Sequence, residues 1–264
     1  MSDVTQPIST ASNAAQWDEP AFAALTLQPQ DWALFLDIDG TLIDLAITPE
    51  AIVVPDFLPT CLDAVARKLN GALALVTGRS VTFADQLFTP FHFPIAGLHG
   101  AERRDIDGNL YRRPLSVDFE ALKLAIAHEA RDWVGIVIED KGGAIAAHYR
   151  LAPERQTDVE AMMARAVQQA GPNFRLQFGK MVVEIRPAGA DKGVAVLEFL
   201  EQTPFRGRRP LVIGDDLTDE AMFLAANGIG GHSIRIGPPS GRTEARSFIP
   251  TPTLLRQSLV RLAS

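Results

Sequence analysis

Short apolar runs, each closed by a polar turn, punctuate this chain. Ala33 to Leu36, Ala72 to Val76, Pro94 to Leu98 and Leu211 to Ile213 carry no charged side chain. Such runs, without polar alternation, are what parallel strands covered on both faces require. Between the first two lies Pro55 to Asn70, where Phe57, Leu58, Leu62, Val65, Ala66 and Leu69 recur at helical spacing before an Asn70-Gly71 stop. Strand, helix and strand in that order predict an α/β protein built on a doubly wound, Rossmann-like parallel sheet.

From about Arg104 to Pro187 the pattern changes. Asp107-Gly108-Asn109 signals a turn, and Asp118 to Asp132 reads as a helix. Trp133 to Asp140 and Ala144 to Tyr149 read as hairpin partners across Lys141-Gly142-Gly143. A second helix over Pro153 to Ala170 precedes two more strands, around Phe174 to Gln177 and Met181 to Ile185. This predicts a small open-faced α+β unit inserted into the parallel-sheet domain. The expected division is a tail with a short helix over 1–29, core over 30–104, insert over 105–187 and core again over 188–264. In the first part, Met1 to about Asn13 reads as a frayed tail, and Trp17, Phe22 and Leu25 as the packing face of the short helix.

Composition narrows the function classes. A formal charge of -7 and a pI near 5.3 argue against a nucleic-acid binder or a basic membrane-surface protein. Neither a secretory signal nor a run of about 18 apolar residues is present, so no membrane partner and a cytoplasmic location are expected. The single cysteine, Cys61, sits in the first helical pattern and reads as core filler in a reducing compartment. Phosphate binding by so acidic a chain requires a divalent cation or focused lysines.

The chemistry gathers where the apolar runs end. The first ends in Asp37-Ile38-Asp39-Gly40-Thr41. While the chain stays extended, Asp37 and Asp39 project to one side, about 6.6 Å apart. Asp37 can attack phosphorus as a carboxylate, and a protonated Asp39 can donate to the leaving alcohol oxygen and later deprotonate the hydrolytic water. Gly40 lets the backbone come close. An acidic turn after a core strand would explain a bare Asp-x-Asp, but not one joined to Gly-Thr. The second run ends in Thr77-Gly78-Arg79-Ser80, which can hold phosphate oxygens or simply cap a helix. The third ends in the polar turn His99-Gly100-Ala101-Glu102. Lys192 opens a helix against the dipole preference and needs a partner, for which a phosphate qualifies. The last run ends in Gly214-Asp215-Asp216-Leu217-Thr218-Asp219-Glu220. Clustered hard oxygens there suit Mg²⁺. A solvated helix N-cap accounts for Asp219 and Glu220, though not for Asp215 and Asp216. In the insert, Glu139, Lys141, His148, Arg150, Lys180, Glu184 and Arg186 either grip hydroxyls and an anion or form a solvated face.

These four stations resemble the four motifs of the haloacid-dehalogenase-superfamily phosphatases: Asp37-Ile-Asp-Gly-Thr, Thr77-Gly-Arg, Lys192, and Gly214-Asp-Asp-Leu-Thr-Asp-Glu. Within that superfamily, Gly97-Leu-His-Gly-Ala-Glu, Glu139-Asp-Lys with His148-Tyr-Arg, and Gly179-Lys-Met-Val-Val-Glu-Ile-Arg-Pro are similar to patterns of the trehalose-6-phosphate phosphatases. A departure is Asp44-Leu45, where many relatives carry a proline-isoleucine pair. The resemblance implies a haloacid-dehalogenase core with an inserted cap that carries substrate specificity. It further implies hydrolysis of the small-molecule substrate trehalose 6-phosphate through an aspartyl-phosphate. Asp37, Asp39, Thr77 and Lys192 are then catalytic. Mg²⁺ is held by Asp37, the Asp39 backbone carbonyl and Asp215, with Asp216 beside them orienting either Lys192 or a metal-bound water. Gly40, Thr41, Gly78, Arg79, His99, Glu102 and the cap residues Glu139, Lys141, His148, Arg150, Lys180 and Glu184 then contact substrate. The expected state is a monomer, with a dimer as the alternative. Two competing readings are another sugar phosphatase of the superfamily and a silent sugar-phosphate-binding regulatory domain; the second requires loss of the acidic and lysine stations, which are all present.

Overall fold

The structure, a computed structural model, describes residues 19–46, 51–112, 117–238 and 242–264. The expected tail and Trp17 lie outside the described residues; the short helix α1 (Glu19–Leu27) places Leu25 in the core.

Eight strands form one sheet in the order β12 (Ser247–Ile249), β11 (His232–Ile236), β10 (Arg209–Gly214), β1 (Trp32–Leu36), β2 (Leu73–Val76), β3 (Ile95–Gly97), β4 (Glu102–Arg104) and β5 (Leu110–Arg112). Pairing is parallel from β12 to β3 and antiparallel beyond it. Every residue of β1 and β2 is buried, as unalternating apolar runs require. The chain runs from β1 outward to β5 and returns on the other side through β10. The carboxyl ends of β1 and β10 therefore flank a topological switch point, where a crevice opens. The sequence allots Leu110–Arg112 to the insert, but this strand pairs with β4 and belongs to the large sheet.

Helices cover both faces of the sheet. In α2 (Leu58–Lys68), Leu58, Cys61, Leu62 and Val65 form the buried stripe. At the start of α3 (Val81–Leu87) the Ser80 hydroxyl accepts from the Phe83 amide at 3.3 Å. Asp191 caps α6 (Lys192–Leu200) by accepting from the Gly193 and Val194 amides at 2.7 and 3.2 Å. Phe35 of β1 packs against Phe199 and Phe205, with ring centroids 6.1 and 5.6 Å away.

The insert is a four-stranded antiparallel sheet, in the order β6 (Val137–Asp140), β7 (Ile145–His148), β9 (Val182–Pro187) and β8 (Phe174–Gly179), covered on one side by α4 (Val117–Glu129) and α5 (Gln156–Ala170). Register sorts its chemistry. Glu139, Ala146, Glu184 and Gln177 are cross-strand partners in one row, so all four share a face. Ile145, Val183 and Ile185, one residue out of phase, share the opposite face and pack on the helices with Phe119, whose ring stacks on Phe174 at 4.1 Å. The polar face is left to look at the large sheet. Two expectations change here. The first strand starts at Val137, not Trp133, because Gly135 (φ 84°) turns the chain before it. The last strand starts at Val182, not Met181, whose φ of 64° leaves it with Lys180 in the turn before β9.

Candidate active site

The strand β1 ends at Leu36, and the chain then turns instead of staying extended: Ile38 O accepts from the Leu42 and Ile43 amides at 2.9 and 3.0 Å. Asp37 and Asp39 nevertheless both line one cleft between the two sheets. Gly40 makes this turn possible. At φ 77° it is in the left-handed region, and a Cβ there would lie 2.2 Å from Asp215 Oδ2. Thr41 is fully buried, and its hydroxyl donates to Asp215 Oδ1 at 3.3 Å. Neither Gly40 nor Thr41 lines the cleft; both position Asp215.

At the end of β10 stands the residue that the sequence reading misplaced. Asp219, expected as a solvated cap, is 0 % exposed. Its Oδ2 accepts from the amides of Asp215 and Asp216, both at 2.9 Å, and its Oδ1 accepts from Lys192 at 2.6 Å. Lys192 also lies 2.8 Å from Asp37 Oδ1. The partner demanded by a lysine at a helix start is thus a pair of carboxylates, and it is Asp219, not Asp216, that orients it. Burial draws the Lys192 ammonium down, but Asp219 and Asp37 outweigh it and hold its pKa above the usual lysine range. Burial, with the neighbouring carboxylates Asp219 and Asp39, pushes Asp37 up to about 8 despite Lys192. Burial and the carboxylates of Asp37, Asp219 and Asp216 push Asp215 up to about 9.

The second station, after β2, supplies Arg79. Its guanidinium takes both oxygens of Asp39 at 2.8 Å, lies 3.5 Å from Glu139 of the cap, and sits over the Phe83 ring at 4.6 Å. Thr77 is fully buried with its hydroxyl accepting from the Arg79 amide at 3.1 Å, and it does not line the cleft. Gly78 lines the cleft and makes room for His99: a Cβ on it would stand 2.9 Å from His99 Cε1.

His99, at φ 56° in a buried turn, lines the cleft and brings Nε2 within 3.5 Å of Glu184 Oε1 on the cap. Burial depresses its pKa more than Glu184 raises it. Glu102 departs from the expected set. It lies outside this cleft, accepting from the Val81 amide at 3.0 Å and pairing with Arg112 at 3.2 Å, because β4 turns antiparallel and carries it behind α3.

The cap wall holds Glu139, Lys141, His148, Arg150, Lys180 and Glu184, all lining the cleft. Lys141 Nζ donates to Glu184 Oε2 at 2.6 Å. Burial would raise the Glu184 carboxyl, but Lys141 and His99 hold it well below the usual range. His148 Nε2 and Glu139 Oε2 are 2.9 Å apart, and against its burial Glu139 is held low by His148, Lys141 and Arg79. Arg150 donates to the backbone oxygens of Ala46 in the core and of Lys180, the latter at 3.5 Å. Arg79 Nη1, His99 Nδ1 and Glu184 Oε1 are buried atoms that make no hydrogen bond within the protein, although Arg79 Nη1 and Glu184 Oε1 each face an ionic partner at 3.5 Å. Thr218 and Gln177 also line the cleft and were not picked out from the sequence. Thr218 lay inside the acidic run, and Gln177 became visible only through strand register.

A family model described as trehalose-phosphatase matches residues 35–247. The chain is 56% identical over 263 residues to a probable trehalose-phosphate phosphatase of Sinorhizobium fredii, covering 100% of this chain and 98% of that one. The chain belongs to the trehalose-phosphatase family. The trehalose-6-phosphate phosphatase of Escherichia coli is 43% identical over 222 residues, 81% of this chain and 80% of that one. The C-terminal domain of the Candida albicans trehalose-6-phosphate phosphatase shares the fold, with TM-score 0.78 at 22% identity over 93% of this chain and 97% of that one. Asp44, read from the sequence as a departure, has a partner: its carboxylate accepts from Arg256 at 3.0 Å, and the same guanidinium donates to Leu42 O at 3.1 Å. Among the described residues, no helix is long and apolar enough to cross a membrane.

The acidic cluster also fits a divalent cation. Carboxylate oxygens of Asp37, Asp215 and Asp219 come within 4.8 Å of one another. Asp219 is already engaged by Lys192 and two amides, which leaves Asp37 and Asp215 as the available side chains. Burial is the largest cause of the raised pKa of both carboxyls.

Proposed function

We propose that this chain hydrolyses trehalose 6-phosphate to trehalose and phosphate by way of an aspartyl-phosphate on Asp37, with Mg²⁺ as cofactor. The observation that carries the reading is the pairing of Asp37 with Lys192, 2.8 Å apart in a cleft whose cap side is lined by Glu139, Lys141, His148, Arg150, Lys180 and Glu184. Asp37, Asp215 and the Asp39 backbone carbonyl would hold the cation, with Asp216 beside them. Bound there, it neutralises phosphoryl oxygens and lets an anionic carboxylate approach phosphorus.

Asp37 attacks phosphorus, and the bond to the sugar oxygen breaks as Asp39 delivers its proton to that oxygen. Asp39 then takes a proton from water, whose oxygen attacks the same phosphorus and returns Asp37 as a carboxylate. Donation requires one Asp39 oxygen to leave Arg79, and Glu139, 3.5 Å from that guanidinium, offers Arg79 another partner. Lys192 stays charged through both steps, held by Asp219. The cap wall binds the sugar: Glu139, Glu184 and His148 accept from or donate to hydroxyls, and Lys141, Lys180 and Arg150 donate. Every phosphomonoester presents the same phosphoryl group, so selection rests on this wall.

A phosphate-release screen over disaccharide and monosaccharide phosphates tests the reading. Trehalose 6-phosphate is expected to exceed the rest in kcat/KM. A higher value for a monosaccharide phosphate or for another disaccharide phosphate would reassign the substrate.

A further inference from the structure

Lys123 lies in what should be the apolar stripe of α4. Phe119, Leu122 and Ile126 on that stripe are buried, and Lys123 is buried with them at 5 % exposure, while the adjacent Leu124 is 73 % exposed. The usual order of leucine and lysine is inverted. A buried ammonium is tolerated only when closely paired. Here Nζ lies 2.9 and 3.0 Å from the two oxygens of Asp140, 3.1 Å from Gly142 O and 3.0 Å from Glu120.

Two of these partners bracket Lys141 in the β6–β7 turn. Within the turn, the Gly142 amide donates to Asp140 Oδ1 at 2.7 Å, the Lys141 amide to Ala144 O at 3.0 Å and the Gly143 amide to Lys141 O at 3.1 Å. Gly142 sits at φ 76°, a conformation that carries little preference of its own in a glycine. Another side of the turn borders a second cavity, shared with Ser80, Thr82 and Arg112, where Gly143 meets Leu98 while Lys141 and Gly142 face the open space. From the turn, the Lys141 side chain reaches the main cleft and donates to Glu184 at 2.6 Å.

We infer that Lys123 is a positioning residue for sugar selection: by gripping Asp140 and Gly142 it fixes the turn so that the Lys141 ammonium stands on Glu184 at the cap wall. Lys123 itself does not line the cleft. The inference rests on the reading that the cap wall selects the sugar.

The test measures kcat and KM of Lys123→Met, Lys141→Ala and the double variant on trehalose 6-phosphate and on a small aryl phosphate. Methionine keeps the buried stem and removes the grip. Lys123→Met is expected to lower kcat/KM for trehalose 6-phosphate about 10- to 100-fold, mainly through KM, and to leave the aryl phosphate unchanged. In the Lys141→Ala background it is expected to cost nothing more. Asp140→Asn loosens the same grip from an exposed side chain and should give the same selective loss even where Lys123→Met folds poorly. Parallel losses on both substrates, or a full additional loss in the double variant, would overturn the inference. A selective loss in Lys141→Ala with none in Lys123→Met or Asp140→Asn would overturn it alone. No selective loss in Lys141→Ala would overturn the sugar-selection reading and the inference together.

Discussion

Lys192 Nζ lies 2.8 Å from Asp37 Oδ1, and both side chains are almost sealed from solvent. The lysine thus stands beside the carboxylate expected to bond to phosphorus, where it screens the approach of one anion to another. Asp37→Asn keeps the volume and the fold but cannot form the phospho-enzyme, so turnover of trehalose 6-phosphate is expected to vanish. Phosphate release from that variant at near the parent rate would refute the nucleophile. Asp39→Asn is expected to be severely impaired on the sugar phosphate and less so on an activated aryl phosphate, whose leaving group needs no proton.

Asp219 carries a structural duty as well as a chemical one. It pairs with Lys192 at 2.6 Å and satisfies two amides in a fully buried position. Asp219→Ala strips a buried charge of its closest partner and leaves two donors unpaired, at a cost of about 3–5 kcal/mol. Urea denaturation should show a lower midpoint with an unchanged m-value, together with loss of activity. A variant as stable as the parent would mean that Lys192 is solvated and the arrangement described above is wrong.

The raised carboxylates make the response to metal depend on pH. Burial and neighbouring carboxylates push Asp37 and Asp215 up to about 8 and 9 in the folded protein, from 3.8 for an unperturbed aspartate. Between the two limits the folded state binds more protons than the unfolded state, so these groups contribute stability that falls as pH rises. A cation competes with those protons and binds better as they leave. Excess Mg²⁺ is therefore expected to raise Tm more at pH 9 than at pH 6, and chelation to abolish phosphatase activity. Calcium, with its larger and looser oxygen shell, should support little turnover. A Tm gain independent of pH would remove Asp37 and Asp215 from the cation site.

Much of this site could be read from the chain because buried parallel strands announce themselves as unbroken apolar runs, and the residues that end them are the ones delivered to the switch point. Asp37, Asp39 and Asp215 needed no more than that, and Lys192 was legible as a lysine at a helix start, where the dipole disfavours it. Asp219 was misassigned because a capping position is usually wet; only the close approach of Gly214, whose missing Cβ would lie 2.3 Å from Asp219 Cγ, shows how tightly it is buried. Glu102 was misread because an antiparallel reversal at β4 looks, in one dimension, like another polar turn after a strand. The Glu139–Ala146–Glu184–Gln177 row depends on pairing register, which no single segment encodes.

Selection of the sugar gives the most discriminating prediction. Lys180 and Glu184 both line the cleft, but the structure separates their roles. Glu184 is buried on β9 between Lys141 and His99, and Lys180 is an exposed turn residue at the rim. Removing the Glu184 carboxylate leaves the buried Lys141 ammonium unpaired and deprives a bound hydroxyl of an acceptor, whereas removing Lys180 forfeits one solvent-shared contact. Glu184→Ala is therefore expected to lower kcat/KM on trehalose 6-phosphate by more than about 1–3 kcal/mol of transition-state stabilisation, and Lys180→Ala by less than Glu184→Ala. A small aryl phosphate bypasses the cap wall, so its hydrolysis should hardly change in either variant. Steady-state kinetics on both substrates decides the matter. Small, equal losses on the two would mean that the cap charges only solvate a surface, and the chain would then be a phosphatase of broad specificity.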